Sequence, residues 1–257
     1  MKFIKRVLFF FLNERVYFSL ISLFFFILYF SGILRIFRRF RIYYFIPELI
    51  RKGDTIIDIG ANLGYFTRIF SRATGKDGTV WAVEPIPLYR EILKKNISHN
   101  SNIIIIPFAL GEKESIEYMG IPGNQPYRHG LTRIIEARDN AMEEKGLPVE
   151  VKTPEEIFGN LDKIDFIKCD IEGYEDKVIP GFLAIIRSYK PIIQIEVEPA
   201  NRKLIDDILI NEGYIPFITV QGGLRRIGPA EEYTDDIIYI HISRKDQLKD
   251  FINNHSI

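Results

Sequence analysis

Cysteine is nearly absent: Cys169 is the single one in 257 residues. That excludes an internal disulfide and a zinc cluster built on cysteines. Net charge is absent too, with 34 basic residues against 34 acidic ones. No segment repeats internally and none is of low complexity. Hydrophobic residues make up 47% and charged residues 26%, which excludes a disordered, collagen-like or disulfide-framework protein. The dinucleotide fingerprint G-x-G-x-x-G is missing as well, because Asn62 stands where its second glycine would be. What is present is ordinary globular material, long enough for one large α/β domain.

The zero net charge conceals a division. Residues 1–52 carry ten Lys/Arg and two Glu, whereas the rest holds 24 basic and 32 acidic residues. A basic arm thus precedes an acidic body, which argues against a body that binds nucleic acid. Within the arm, Val16 to Leu34 form nineteen consecutive uncharged residues. As a helix they would reach roughly 28 Å, close to the ~30 Å hydrocarbon core of a bilayer. Lys2, Lys5, Arg6 and Arg15 precede the run, and Arg35, Arg38, Arg39 and Arg41 follow it. The run therefore reads as a membrane segment, residues 1–45, either spanning or lying in the interface. A helix packed on the protein itself or on a partner is the third option. Residues 46–257 form the body.

The body alternates strands with helices. Apolar runs predict strands at 55–59, 79–84, 103–106, 165–170, 191–198, 214–220 and 236–242. Helical spacing of apolar residues falls between most of them, at 64–73 and 87–98 for example. Such repeated units predict a Rossmann-like, mostly parallel seven-stranded sheet covered on both faces. The last two strands lack an intervening helix, so that edge is expected to be antiparallel. The connection 111–163 is long for a compact domain and is expected to be functional.

One constellation lies at the first turn. The segment DIGANLG occupies 58–64, and Glu84 closes the second strand. Ligands of doubly wound sheets bind beyond the carboxyl ends of the strands. Gly60 and Gly64 leave room for a nucleoside to approach the backbone. Glu84 is placed to accept two hydrogen bonds from a ribose diol, and Asp58 to accept from a cationic amine. The missing second glycine points to a nucleoside with little or no phosphate.

These blocks resemble the FkbM-type family of S-adenosylmethionine-dependent methyltransferases. The matching pieces are GDTIIDIGANLGYFT (53–67), WAVEPIPLYREILKKNI (81–97), PFALGEKES (107–115), VKTPEEIF (151–158), DFIKCDIEGYEDKVIPGF (165–182) and PIIQIEVEP (191–199). The resemblance implies S-adenosylmethionine as methyl donor and an oxygen nucleophile on a sugar, glycolipid or secondary metabolite. It adds Asn62 and Ala109 to the expected cofactor-binding set. Pro154, where the family often has an acid, and the apolar run outside its catalytic core leave the acceptor open.

A second constellation is KCDIEG, 168–173, at the end of the fourth strand. Alternation puts Lys168 and Asp170 on one face, with Asp170 at the carboxyl edge. Asp170 is the first candidate for the base that takes the acceptor's proton, Glu172 the second, and His129 in the long connection the third. Alternatively, Asp170 caps the next helix while Glu172 pairs with Lys168. Glu196 and Glu198 close the fifth strand near the acceptor side. The expected protein is a membrane-associated O-methyltransferase with its body in the cytosol, where the donor is made. A tethered nucleoside-binding module without catalysis, or a nicotinamide-dependent oxidoreductase, would be the alternatives.

Overall fold

The computed structural model describes residues 9–120, 132–134, 146–220, 223–228, 231 and 236–244. His129 lies outside the described residues.

Short apolar runs rich in isoleucine and valine make the central strands. They are β1 (Thr55–Ile59), β2 (Thr79–Val83) and β3 (Ile103–Ile106), then β8 (Phe166–Cys169) and β9 (Ile192–Ile195). β-Branched side chains suit a pleated surface packed on both sides, and every residue of β8 and β9 is buried. β10 (Tyr214–Val220), β11 (Gly223–Arg226) and β12 (Ile237–His241) complete an eight-stranded sheet of order β11-β10-β12-β9-β8-β1-β2-β3. All seven expected strands are in it. The eighth, β11, was not expected, because GLRR has no apolar alternation to mark it. β12 runs antiparallel to both β9 and β10 and lies between them.

Helices cover both faces. The relevant ones are α1 (Glu14–Phe30), α2 (Arg41–Phe45), α3 (Tyr65–Thr74) and α4 (Pro87–Asn96), with α5 (Pro154–Phe158), α6 (Glu175–Val178), α7 (Leu183–Tyr189) and α8 (Pro199–Asn211). Apolar clusters lie on either side of the sheet: one joins Ile57, Ile167, Phe182 and Ile205, another Ile56, Phe70, Phe166 and Ile238.

The long connection is not a plain loop. It carries β5 (Ser115–Gly120), β6 (Arg133–Ile134) and β7 (Leu147–Lys152), which with β4 (Ala109–Leu110) form a second sheet, order β4-β7-β5-β6.

The N-terminal run folds otherwise than a spanning helix would. α1 starts at the cap Asn13, whose side chain accepts from the Val16 N–H at 3.1 Å. It stops at Phe30, and Gly32 follows in the left-handed region (φ 78°). Seventeen residues reach about 25 Å, short of the ~30 Å needed. Among the described residues, no helix is long and apolar enough to cross a membrane. Packing adds a second reason. Tyr17, Phe18, Ser22 and Phe26 are buried, with Phe18 edge-on to Tyr89 at 5.6 Å and Phe25 against Tyr65 at 4.1 Å. Arg72 lies 4.1 Å from the Phe30 ring centre. One side of the helix is thus committed to the acidic body, and the spanning expectation gives way to a helix laid along it.

Candidate active site

The carboxyl ends of β1, β2 and β8 converge on a cavity of about 280 Å³. Its floor is the turn after β1. There the Gly60 and Ala61 N–H groups donate to the Val83 carbonyl at 3.1 and 2.9 Å, which draws the turn across the end of β2. Gly60 is at φ 76°, and a Cβ there would lie 1.9 Å from the Asp170 main-chain oxygen. Only glycine lets the turn after β1 pass so close to the main chain at the end of β8. Gly60→Ala is expected to lower stability by about 2–4 kcal/mol, combining left-handed strain with overpacking. A shift of the urea midpoint measures it, and an unchanged midpoint would show that the turn relaxes.

Glu84 is 4% exposed. Its carboxylate accepts from the Asn62 N–H and the Ile86 N–H, both at 2.8 Å. Burial pushes its carboxyl up to about 7, despite those two N–H donors. Asp58 is also buried: Oδ2 accepts from the Thr67 hydroxyl at 2.6 Å, while Oδ1 has no hydrogen-bond partner among the described residues. Burial again raises its pKa, with nearby Lys168 opposing. A buried carboxylate oxygen without a donor is costly unless a ligand supplies one.

Lys168, 1% exposed, donates to Asp170 Oδ2 at 2.8 Å and sits 4.9 Å from the Phe66 ring centre. Burial alone would lower its pKa, but Asp170 and Asp58 outweigh burial and raise it. Lys168 is therefore a fixed cation, and Asp170 is its partner. The alternative pairing of Glu172 with Lys168 is not the one formed.

The loop beyond Asp170 is held from below by a residue that sequence reasoning missed. Glu175 is fully buried and accepts from the Ile171 and Gly173 N–H groups at 3.3 and 3.2 Å. The E-G-Y-E spacing offered a signal, since a carboxylate two residues past a glycine can bind back to the turn. Glu172 occupies a left-handed conformation at φ 55° and lines the cavity.

Of the expected cofactor set, Asp58, Gly60, Asn62, Glu84 and Ala109 line this cavity, as do Asp170 and Glu172. Gly64 does not. It is the cap of α3, and a Cβ there would lie 2.3 Å from Leu93 of α4. Its room admits a neighbouring helix rather than a ligand.

A second cavity of about 510 Å³ meets the first at Tyr43, Phe66, Asp170 and Glu196. Arg38, Arg39 and Arg41 form its other side. Water reaches Glu196 through these openings. Even so, desolvation in the cleft, together with Asp170, Asp236 and Glu172, pushes its carboxyl up to about 8. Tyr43, from α2, stacks on Phe66 at 4.2 Å, so the N-terminal segment supplies a wall of the site.

Comparison with known proteins places this geometry. Residues 58–216 match the family described as the methyltransferase FkbM domain. The crystal structure of an FkbM methyltransferase from Methylobacillus flagellatus superposes with a TM-score of 0.53 at 20% identity, covering 79% of this chain and 48% of that one. Aeropyrum pernix fibrillarin, solved with natively bound S-adenosylmethionine, gives a TM-score of 0.43 at 14% identity, over 74% and 67% of the two chains. A protein-L-isoaspartate O-methyltransferase of Archaeoglobus fulgidus is 36% identical over 59 residues, 22% of this chain and 27% of its own length. The chain thus spans about half of the FkbM structure and about a quarter of the curated relative.

Proposed function

The chain belongs to the methyltransferase FkbM domain family, and from that premise we propose that it methylates a hydroxyl of a sugar, glycolipid or related secondary metabolite. The methyl donor is S-adenosylmethionine, which supplies an electrophilic methyl group on a sulfonium.

The first cavity suits that donor in three respects. Glu84 offers two carboxylate oxygens to ribose hydroxyls, the unpartnered Oδ1 of Asp58 can accept from the ammonium group, and Gly60 leaves the turn open. One observation carries the reading of the chemistry: Asp170 lines both cavities. A hydroxyl entering from the second cavity would meet it at the junction. Its Oδ2 is already engaged by Lys168, so Oδ1 is the oxygen that would take the hydroxyl proton as the new C–O bond forms and the methyl–sulfur bond breaks, its electron pair staying on sulfur as a neutral thioether. Lys168 holds that carboxylate in place. Positioning of this kind supplies much of the rate of an in-line displacement.

The test is transfer of radiolabelled methyl from S-adenosylmethionine into lipid and sugar extracts. Label in a base-stable methyl ether is expected. Label released by mild base would mean a carboxyl acceptor and overturn the hydroxyl assignment.

The charge state of Glu84 adds a prediction. Diol hydroxyls donate, so they favour the ionised carboxylate, and binding should draw its pKa down from about 7. Affinity should therefore rise from roughly pH 6 to 8, with proton release in that window. Calorimetry in buffers of different ionisation enthalpy measures the release. Equal release by Glu84→Gln would assign it to another group.

A further inference from the structure

The exposed apolar residues of this protein are concentrated in one place. Among the described residues, eleven large apolar side chains in the segment 10–37 are exposed, against seven in all the rest. On α1, Leu20, Leu23, Phe24 and Ile27 are 42%, 54%, 65% and 55% exposed. They lie at helical spacing, opposite the buried Phe18, Ser22 and Phe26. The chain beyond the helix continues the patch with Ile36 and Phe37, 74% and 51% exposed. A soluble monomer seldom shows so contiguous an apolar surface without a partner for it.

Charge identifies the partner. Arg35, Arg38, Arg39 and Arg41 are all exposed beside Ile36 and Phe37, and residues 1–52 hold ten basic side chains against two acidic. A two-fold contact between copies would set this basic segment against itself. An anionic bilayer surface instead takes the apolar side chains into its headgroup boundary and the guanidinium groups against its phosphates.

We propose that the outer face of α1 and the segment Ile33–Arg41 form an in-plane docking surface for an anionic membrane, and that the protein's methyl acceptor is lipid-borne. The second half of the proposal rests on the methyltransferase reading. Arg38, Arg39 and Arg41 belong both to this surface and to the second cavity, so docking sets that cavity beside the bilayer. A hydroxyl on a lipid-linked headgroup then reaches Asp170 without leaving the membrane surface. The leaflet is the one facing the cytosolic supply of S-adenosylmethionine.

Full-length protein is sedimented with vesicles of phosphatidylcholine alone, or of equal parts phosphatidylcholine and phosphatidylglycerol. Binding to the mixed vesicles is expected, weakened by salt and much lower on phosphatidylcholine. The double variant Leu23→Ser/Phe24→Ser touches exposed positions only, so it should keep the wild-type melting temperature and lose at least about tenfold in vesicle affinity. No binding to the mixed vesicles overturns the proposal, as does binding that the double variant leaves unchanged. A lipid-free dimer by light scattering that the double variant dissolves also overturns it, because the occupant is then a second copy. Calorimetry with S-adenosylmethionine on the same preparation separates the two readings. Donor binding without vesicle binding overturns the docking surface alone, and vesicle binding without donor binding overturns the methyltransferase reading.

Discussion

Asp170→Asn is expected to reduce methyl transfer about 10²-fold or more while leaving S-adenosylmethionine affinity within a few-fold of wild type. The substitution keeps the shape but removes the charge that Lys168 faces at 2.8 Å and the oxygen that accepts the hydroxyl proton. A positioned base typically contributes 10²–10⁴-fold, and the asparagine amide cannot replace it. Loss of the counter-charge also leaves the buried Lys168 to the other carboxylates around it, Asp58 first, so some stability is lost with the activity. The discriminating readout is therefore the split between turnover and donor binding. Single-turnover rates with calorimetric affinities measure both. A turnover within a few-fold of wild type would reduce Asp170 to a partner of Lys168 and move the proton to Glu196, whose carboxyl lies near 8. In that case the rate would climb through pH 8, and Glu196→Gln would abolish the climb.

Glu84→Ala should weaken donor binding by at least about 10²-fold, since hydrogen bonds to a charged acceptor are worth ~1.5–3 kcal/mol each and two are lost. The same side chain holds the Asn62 and Ile86 N–H groups. Removing it therefore also loosens the turn on which the donor would lie. The conservative Glu84→Gln separates the two effects. It fills the same volume but must aim its amide NH₂ at one of those N–H donors, so the turn suffers while one acceptor remains. An unchanged dissociation constant in both variants would take Glu84 out of the donor site.

The legible part of this molecule was the part that physics makes repetitive. TIIDI, TVWAV, FIKC and IIQI are largely buried strands, and their mainly apolar character needed no knowledge of neighbours; IIII, read as a buried strand, is instead the sheet edge, with Ile104 exposed. Alternation along KCD likewise put Lys168 and Asp170 on one face, although the partner weighed for Lys168 was Glu172 and the pair formed is with Asp170. The second sheet was hidden because SIEYMG has only half-buried and exposed positions and LPVEVK buries just two of its six residues, and a short alternating run looks much like a polar connection. Gly64 misled for another reason. Spacing reveals that a position lacks a side chain, not whether a ligand or Leu93 uses the room. The run 16–34 misled by its uniformity: a stretch apolar all around does not say that Phe18 and Phe26 face the protein while Leu23 and Phe24 face away. Glu196 could be placed at a strand end, but its position between two cavities depends on α2, distant in sequence.

The insertion of β12 between β9 and β10 imposes an order on biosynthesis. Translation delivers β10 and β11 before β12, yet β10 hydrogen-bonds to β12 and not to β9. Until residues 237–241 are made, the β10–β11 hairpin has no seat on the sheet, and the β9 edge stays open. Exposed strand edges of this kind invite pairing with other chains. The nascent protein therefore carries an aggregation-prone edge until β12 itself has been made. Chaperone dependence during synthesis should then follow the interval between completing β9 and completing β12, not the stability of the finished fold.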